Sequence, residues 1–195
     1  MIQVRDTARK FSEIWKPVDG TDAGFASWKR VLHQEQLLRS TGTEIVNPSI
    51  GVYSNGNQIL VRATLAGPGI VEPSGIAAVV DPKTRQITQT VETTFVQGSG
   101  GGTVSTWIDG LRTLERFVPN PEDSISTVAT IGWNEFVSCL NGAGVAAWVV
   151  TALSIACGAI CAGTGGAGCV PCLAAAGGLT GGVFYSCAGR AIFYS

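Results

Sequence analysis

The spacing of apolar residues changes along this chain and predicts helices first and strands afterwards. Residues 5–16 and 25–38 repeat apolar side chains at intervals of three and four, which predicts two amphipathic helices. Residues 106–117 return to that spacing, so a third helix is predicted there. Strands are predicted where Val, Ile, Thr and aromatic residues concentrate, at 44–53, 58–66, 75–80 and 86–96.

Short turn motifs separate the predicted strands. Residues 54–57 contain an Asn-Gly pair typical of a hairpin turn, and residues 81–84 form a second tight turn. The glycine-rich stretch 98–103 lacks the Lys-Ser/Thr of a phosphate-binding loop and is expected to be a flexible linker. The predicted fold class is α+β: an N-terminal antiparallel meander of about four strands with two or three helices, followed by a C-terminal apolar, disulfide-rich helical hairpin.

Charge distribution divides the chain into two parts. Residues 136–189 contain no Asp, Glu, Lys, Arg or His, whereas all 14 acidic residues and all of the 13 basic residues except Arg190 lie before that segment. A proline-containing stretch separates the two parts and offers accessible backbone to a protease. We therefore predict a soluble α+β leader or protective domain at 1–118, a linker with a candidate cleavage region at 119–133, and a cysteine-rich hairpin peptide at 134–195.

The polar residues show no catalytic constellation. His33 is the single histidine and lies on the polar side of a predicted helix, where a solvated or capping role is expected. The net charge of −1 gives no clustered basic surface for nucleic acid. We expect no enzymatic activity, no cofactor, no metal and no nucleic-acid partner.

The six cysteines all lie in the C-terminal part and suit a disulfide framework. If residues 162–168 turn between two antiparallel helices, three nested pairs are geometrically possible. These disulfide candidates are Cys161–Cys169, Cys157–Cys172 and Cys139–Cys187. Three alternatives stay open: a zinc site of four thiolates, a Cys-x-x-Cys redox centre, and free thiols acting as small core residues.

The uncharged segment also predicts contact with lipid. Residues 145–160 approach the length of a membrane span, and a helix in water normally keeps a charged face, which this one lacks. The alternative is a hydrophobic hairpin buried against the N-terminal sheet. The membrane-contact candidates are Trp148, Val149, Val150, Leu153, Ile155, Ile160, Leu173, Leu179, Val183 and Phe184.

The cysteines and the N-terminus indicate different cellular compartments. Disulfides persist in oxidising environments, but the first ten residues contain neither an apolar stretch nor a small-residue cleavage site. A conventional secretory signal is therefore not predicted. Release and export of the C-terminal piece by a dedicated route, or its direct membrane insertion, would reconcile the two.

The layout resembles that of the halocin-type cysteine-rich antimicrobial (bacteriocin) precursors. The resemblance rests on Cys157-Gly-Ala-Ile-Cys161, the Gly/Ala spacer, Cys169-Val-Pro-Cys172 and Cys187, together with a strand–turn–strand at 76–88. It implies that the C-terminal peptide is the released antimicrobial agent. It also implies that the N-terminal part stays with the producer and protects it.

The main hypothesis is a precursor of a membrane-active antimicrobial peptide. Its partners would be a lipid membrane, a processing protease and an exporter, and the hairpin could self-associate. The peptide would be secreted or membrane-inserted after processing, with the N-terminal domain cytoplasmic or membrane-associated. Two rivals remain: an uncleaved protein anchored in the membrane by its hairpin, and a soluble zinc or binding module.

Overall fold

The fold is of the α+β class, as a computed structural model shows for residues 13–22, 24–33, 37, 39–120, 139, 142 and 144–176. All strand pairs are antiparallel, and the eight-stranded sheet has the order β1-β3-β4-β5-β6-β7-β8, with β2 pairing beside β4. The strands are β1 (Lys16–Pro17), β2 (Glu44–Ile45), β3 (Gly51–Ser54), β4 (Ile59–Ala66), β5 (Gly75–Val80), β6 (Ile87–Gly98), β7 (Gly101–Ile108) and β8 (Leu111–Pro119). The helices whose bounds lie within the described residues are α1 (Phe25–Lys29), α2 (Ala147–Gly163) and α3 (Cys169–Ala176), with 3-10 turns at Arg30–His33 and Asn47–Ser49.

Helices cover both faces of the central strands. Because successive strand residues point to opposite faces, β5 sends Ile76, Ala78 and Val80 to one side and the residues between them to the other. On the first side α1 and the Arg30–His33 turn contribute Trp28 and Leu32 to the core. On the second side the sheet packs against α2 and α3. All six residues of β5 are buried as a result.

The core on the second side of the sheet contains residues from both the charged N-terminal part of the chain and the uncharged C-terminal part. Its members from the sheet and from the α2–α3 hairpin form one continuous cluster of buried residues. The sheet residues in it are Leu60, Ala77, Val79, Val91, Phe95, Val104 and Val118. The predicted linker 119–133 lies outside the described residues apart from Pro119 and Asn120, so the proposed domain boundary stays a prediction.

Both predicted turns are present, and side-chain oxygens hold them. Asn55 Oδ1 accepts hydrogen bonds from the amides of Asn57 at 2.9 Å and Gln58 at 2.8 Å. Gly56, which follows Asn55 in this turn, has a φ of +87°, a conformation that costs glycine little. Asp81 Oδ1 accepts in the same way from Lys83 and Thr84. Local turn chemistry of this kind is readable from sequence.

The predicted helix at 106–117 is wrong, because this segment forms the end of β7 and most of β8. Asp109 and Gly110 have φ values of +49° and +79°, and they make the two-residue turn between these strands. An Asp-Gly pair between strands is a recognised hairpin signal, and here it outweighs the helical spacing of the apolar residues. The ladder between β7 and β8, together with the pairing of β7 with β6, then stabilises the extended conformation.

The predicted flexible linker at 98–103 is also wrong. Gly98 and Gly101 pair across the turn from β6 to β7, and residues 101–103 belong to β7. Gln97 Nε2 donates to the carbonyl oxygens of Gly98 and Gly101, both at 3.0 Å. The sheet is larger than the predicted meander because residues 101–119 add β7 and β8, β1 is also present, and the predicted strand 44–53 is divided into β2 and β3.

Two other predictions hold only in part. The predicted strand 44–53 is interrupted by the 3-10 turn Asn47–Ser49, which contains Pro48, a residue without an amide donor for a strand ladder. The predicted helix 25–38 is α1 followed by 3-10 geometry that reaches His33, and residues 34–36 and 38 lie outside the described part. Most of the predicted helix 5–16 also lies outside it.

Candidate functional site

The candidate site is the surface along which the α2–α3 hairpin lies on the sheet. The turn between the helices is closed by Thr164, whose hydroxyl donates to the carbonyl of Ile160 and accepts from the amide of Gly168, each at 2.7 Å. Gly165 and Gly166 have φ values of +60° and +98°. Glycine tolerates this geometry, so the chain reverses within a few residues. The turn falls where the sequence predicts it.

Two disulfides staple the helices together. Cys157 is bonded to Cys172, with their Cα atoms 5.6 Å apart, and Cys161 is bonded to Cys169, with their Cα atoms 4.6 Å apart. These are the two inner pairs of the predicted ladder. Cys139 is also disulfide-bonded and packs against the core. The outer pair Cys139–Cys187 stays a prediction because Cys187 lies outside the described residues.

The four cysteines of α2 and α3 are all in disulfides, so none of them is a thiolate that could bind zinc or act in a Cys-x-x-Cys redox centre. Cys169 and Cys172 belong to different disulfides, so they do not form a Cys-x-x-Cys redox pair. A zinc site of four thiolates would need these same sulfurs in reduced form. Within the described ranges, no group of three or more His, Cys, Asp or Glu residues is placed to hold a metal ion.

Trp148 holds the start of α2 on the sheet. Its side chain is 1% exposed, and its ring lies against Phe95 with centroids 6.3 Å apart. The indole Nε1 donates to Gln97 Oε1 at 2.9 Å, which satisfies the polar end of a buried tryptophan. Gly102 makes room for the ring, because a Cβ atom at that position would overlap the indole.

A second glycine, Gly75, lets α3 lie close to the sheet. A Cβ atom on Gly75 of β5 would overlap the carbonyl oxygen of Ala175, so backbone meets backbone at this point. Ala174 and Ala175 are 1% and 0% exposed. Small side chains on both surfaces bring the helix close to the sheet, and close approach increases the dispersion contact along the interface.

Most of the described membrane-contact candidates are buried between the hairpin and the sheet. Ile155 is half-buried and packs against the same core. The side chain of Leu173 and residues Leu179, Val183 and Phe184 lie outside the described part. The buried ones are Trp148, Val149, Val150, Leu153 and Ile160. This is the arrangement expected from the alternative of a hairpin buried against the sheet, and lipid contact by these residues stays a prediction.

The outer surface of α2 is made of small residues. Thr151, Ala159 and Ala162 are exposed, and the helix carries no charged side chain. Among the helices that the structure describes, none has the length and hydropathy needed to cross a bilayer.

Titratable groups contribute little at this surface. Backbone amides lower the pKa values of Asp19 and Asp81, but both carboxyls lie in turns that belong to other parts of the molecule. His33 is exposed at the end of its 3-10 turn. The hairpin is therefore held by shape, apolar contact and the Trp148–Gln97 hydrogen bond.

Sequence patterns do not identify the strand residues that form the seat of the hairpin, namely Gln97, Gly75 and Gly102. These are polar or small residues within strands, and each meets its helix partner only after the chain has folded. The one available signal is the glycine-rich run around Gly102, because glycine inside a strand marks a bulge or the close approach of another group. No protein-family model, curated protein or solved structure matches this chain.

Proposed function

We propose that this chain is the precursor of a membrane-active antimicrobial peptide. The cysteine-rich C-terminal segment is the active part, and the N-terminal sheet is its leader or immunity part. One observation carries this proposal: an uncharged hairpin with two disulfides keeps its apolar side chains against a sheet of its own chain. No cofactor is required, because transfer of apolar surface into lipid supplies the free energy for insertion.

Docking on the sheet would keep the peptide inactive before release. Trp148, Val149 and Leu153 are at most 3% exposed, so these side chains cannot reach a lipid surface while the hairpin is docked. Release would expose them together on a scaffold that the disulfides keep folded. The exposed apolar face would then favour a bilayer, or another copy of the hairpin, over water.

Processing would occur in the segment that follows β8. Cleavage between residues 120 and 138 frees the hairpin while leaving the sheet strands intact. The peptide would then be exported or inserted into a membrane. The N-terminal part would remain cytoplasmic or membrane-associated in the producer.

Cleavage in this segment is the direct test. A site-specific protease sequence is placed within residues 121–133 of the full chain, and dye release from liposomes is measured before and after cleavage. We expect little release from the intact protein and strong release from the separated, oxidised peptide 130–195. A matched chain with a scrambled, uncleavable site controls for the protease. An inert oxidised peptide would refute the proposal.

A second candidate is a binding module in which the hairpin is a permanent layer of the fold. The burial of Trp148 within the sheet core favours it, because such a side chain is also typical of a structural helix. In that case the cleaved fragments should stay associated in gel filtration and leave liposomes intact. The same cleavage experiment therefore separates the two candidates.

A further inference from the structure

Two threonines lie side by side on the face of the sheet that the hairpin covers. Thr93 of β6 and Thr106 of β7 are direct cross-strand partners, and each is 0% exposed. Residues two positions apart on a strand share a face, so both lie with Val91, Phe95 and Val104. Those three residues belong to the core that the sheet forms with α2 and α3. The two hydroxyls therefore lie in the apolar layer between sheet and hairpin.

Neither hydroxyl has a hydrogen-bond partner among the described residues. Two other buried polar side chains, one just before β5 and one in β6, are paired. Ser74 Oγ donates to the carbonyl of Val71 at 2.7 Å, and the carboxylate of Glu92 accepts from the amides of Arg39 and Ser40. In the described part of the chain, the unpaired buried side-chain groups are confined to this one cross-strand pair.

An unpaired buried hydroxyl destabilises the state that buries it. In water the hydroxyl is hydrated, and on burial it loses that hydration without a replacement. Valine has nearly the same shape as threonine and carries no such cost. Strand pairing between β6 and β7 does not require the hydroxyls, so their cost falls on the step in which the hairpin covers them.

We propose that Thr93 and Thr106 form a built-in bias toward opening, which keeps the docked hairpin releasable. When the hairpin lifts from the sheet, water reaches both hydroxyls and their cost disappears. The bias opposes docking without removing any contact of Trp148 or Gly75. Its biological use rests on the proposed function, since a precursor must hold its peptide and later let it go.

Hydrogen exchange of the full, oxidised chain tests this device without a membrane. The disulfides hold the undocked hairpin together, but loss of packing against the sheet lets the backbone hydrogen bonds of α2 and α3 open more readily, so faster exchange of their amides reports undocking. Amides of the central strand β5 report unfolding of the whole sheet. We expect Thr93→Val and Thr106→Val each to slow exchange in α2 and α3 by about ten-fold, the scale set by one unpaired buried polar group. The matched control is Thr103→Val, on the opposite face of β7 and half-buried, where no slowing is expected.

Three outcomes would overturn the proposal. Unchanged or faster exchange of the hairpin in both valine variants would show that the hydroxyls do not oppose docking. Slower exchange in β5 alone would show that burial of the hydroxyls opposes folding of the whole sheet and not docking of the hairpin. Hairpin amides that exchange no faster than those of β5 in the natural chain would show that no separate undocking occurs. None of these outcomes depends on membrane activity, so the proposed function can fail or stand independently.

Discussion

The indole Nε1 of Trp148 donates a 2.9 Å hydrogen bond to the side-chain oxygen of Gln97, a residue 51 positions earlier in the chain. The amide nitrogen of Gln97 donates to the carbonyls of Gly98 and Gly101 at the turn between β6 and β7. One side chain thus ties the first turn of α2 to a hairpin turn of the sheet. A directional bond of this kind sets where along the sheet the helix begins, which apolar contact alone does not.

Trp148→Phe should weaken docking by about 1–2 kcal/mol, because the ring contact persists while Gln97 Oε1 loses its donor inside a buried site. Trp148→Ala should cost about 3–5 kcal/mol, since it also leaves a cavity. Urea denaturation of the oxidised chain measures both free energies of unfolding. Trp107→Phe, at a half-buried position on the other face of β7, is the control and should cost less. Equal losses for the two Phe variants would argue against a special role for the bond.

Gly75→Ala should destabilise the protein, because its new methyl group would overlap the carbonyl oxygen of Ala175 and push α3 off the sheet. Gly158→Ala is the matched substitution within α2, where the new Cβ would meet nothing within 4 Å apart from its chain neighbours and the backbone of its own helix. It should stabilise the protein by up to about 1 kcal/mol through helix propensity. Thermal denaturation of both variants gives the comparison. A neutral Gly75→Ala would mean that α3 does not seat on β5 as closely as the structure shows.

The two disulfides should be reduced in a definite order. Cys157 and Cys172 are both 0% exposed beneath the sheet, whereas Cys161 is 6% exposed and Cys169 is half-buried near the turn. Access of the reductant limits the rate of exchange, so Cys161–Cys169 should open first. Timed reduction of the native chain, followed by alkylation and peptide mass spectrometry, measures the order. In concentrated guanidinium the difference should disappear, and a difference that persists there would assign it to local chemistry instead of burial.

Acid should weaken the turn at Asp81. The backbone amides of Thr84 and Lys83 hold the pKa of the Asp81 carboxyl below its ordinary value of 3.8. A carboxyl with a lower pKa in the folded chain stabilises the fold above its unfolded pKa, and this contribution is lost as pH falls through the folded pKa. The stability difference between the natural chain and Asp81→Asn should thus be largest near neutral pH and shrink below about pH 4.

Urea denaturation across this pH range measures the Asp81 effect. Lys83→Gln is the control, since it keeps the backbone amide and removes only the Coulombic attraction, the smallest of the causes that lower this pKa. The pH dependence should survive Lys83→Gln. A stability difference for Asp81→Asn that stays constant from neutral to acid pH would contradict the assigned cause.

Local signals in the sequence predicted a substantial part of this fold. Strand β5 has the predicted bounds, and β4 begins one residue later than predicted, because β-branched and apolar residues concentrate between recognisable turns. In the Asn55-Gly56 turn and the Asp81 turn, a side-chain oxygen accepts from backbone amides no more than three residues further along the chain. The two inner disulfides followed from cysteine spacing around a glycine-rich turn, which is also a short-range relationship.

Long-range pairing decided what those signals could not. The segment that forms the end of β7 and most of β8 has apolar residues at helical intervals, but it is extended because β8 pairs with β7 across the Asp109-Gly110 turn and β7 pairs with β6. Helical spacing is a property of a few neighbouring residues. A strand is stabilised by partners that the chain brings from elsewhere, and the pattern of one segment does not contain them.

By itself the sequence determined that residues 136–189 carry no charge and hold every cysteine, so their apolar side chains favour any surface that removes them from water. Only the tertiary structure decided which surface does so for α2 and α3, and it is the sheet of the same chain. The reason is geometric. Gly75, Gly102 and Gln97 form a seat from three separate strand positions, and its fit to Trp148 and Ala175 exists only once those strands are paired.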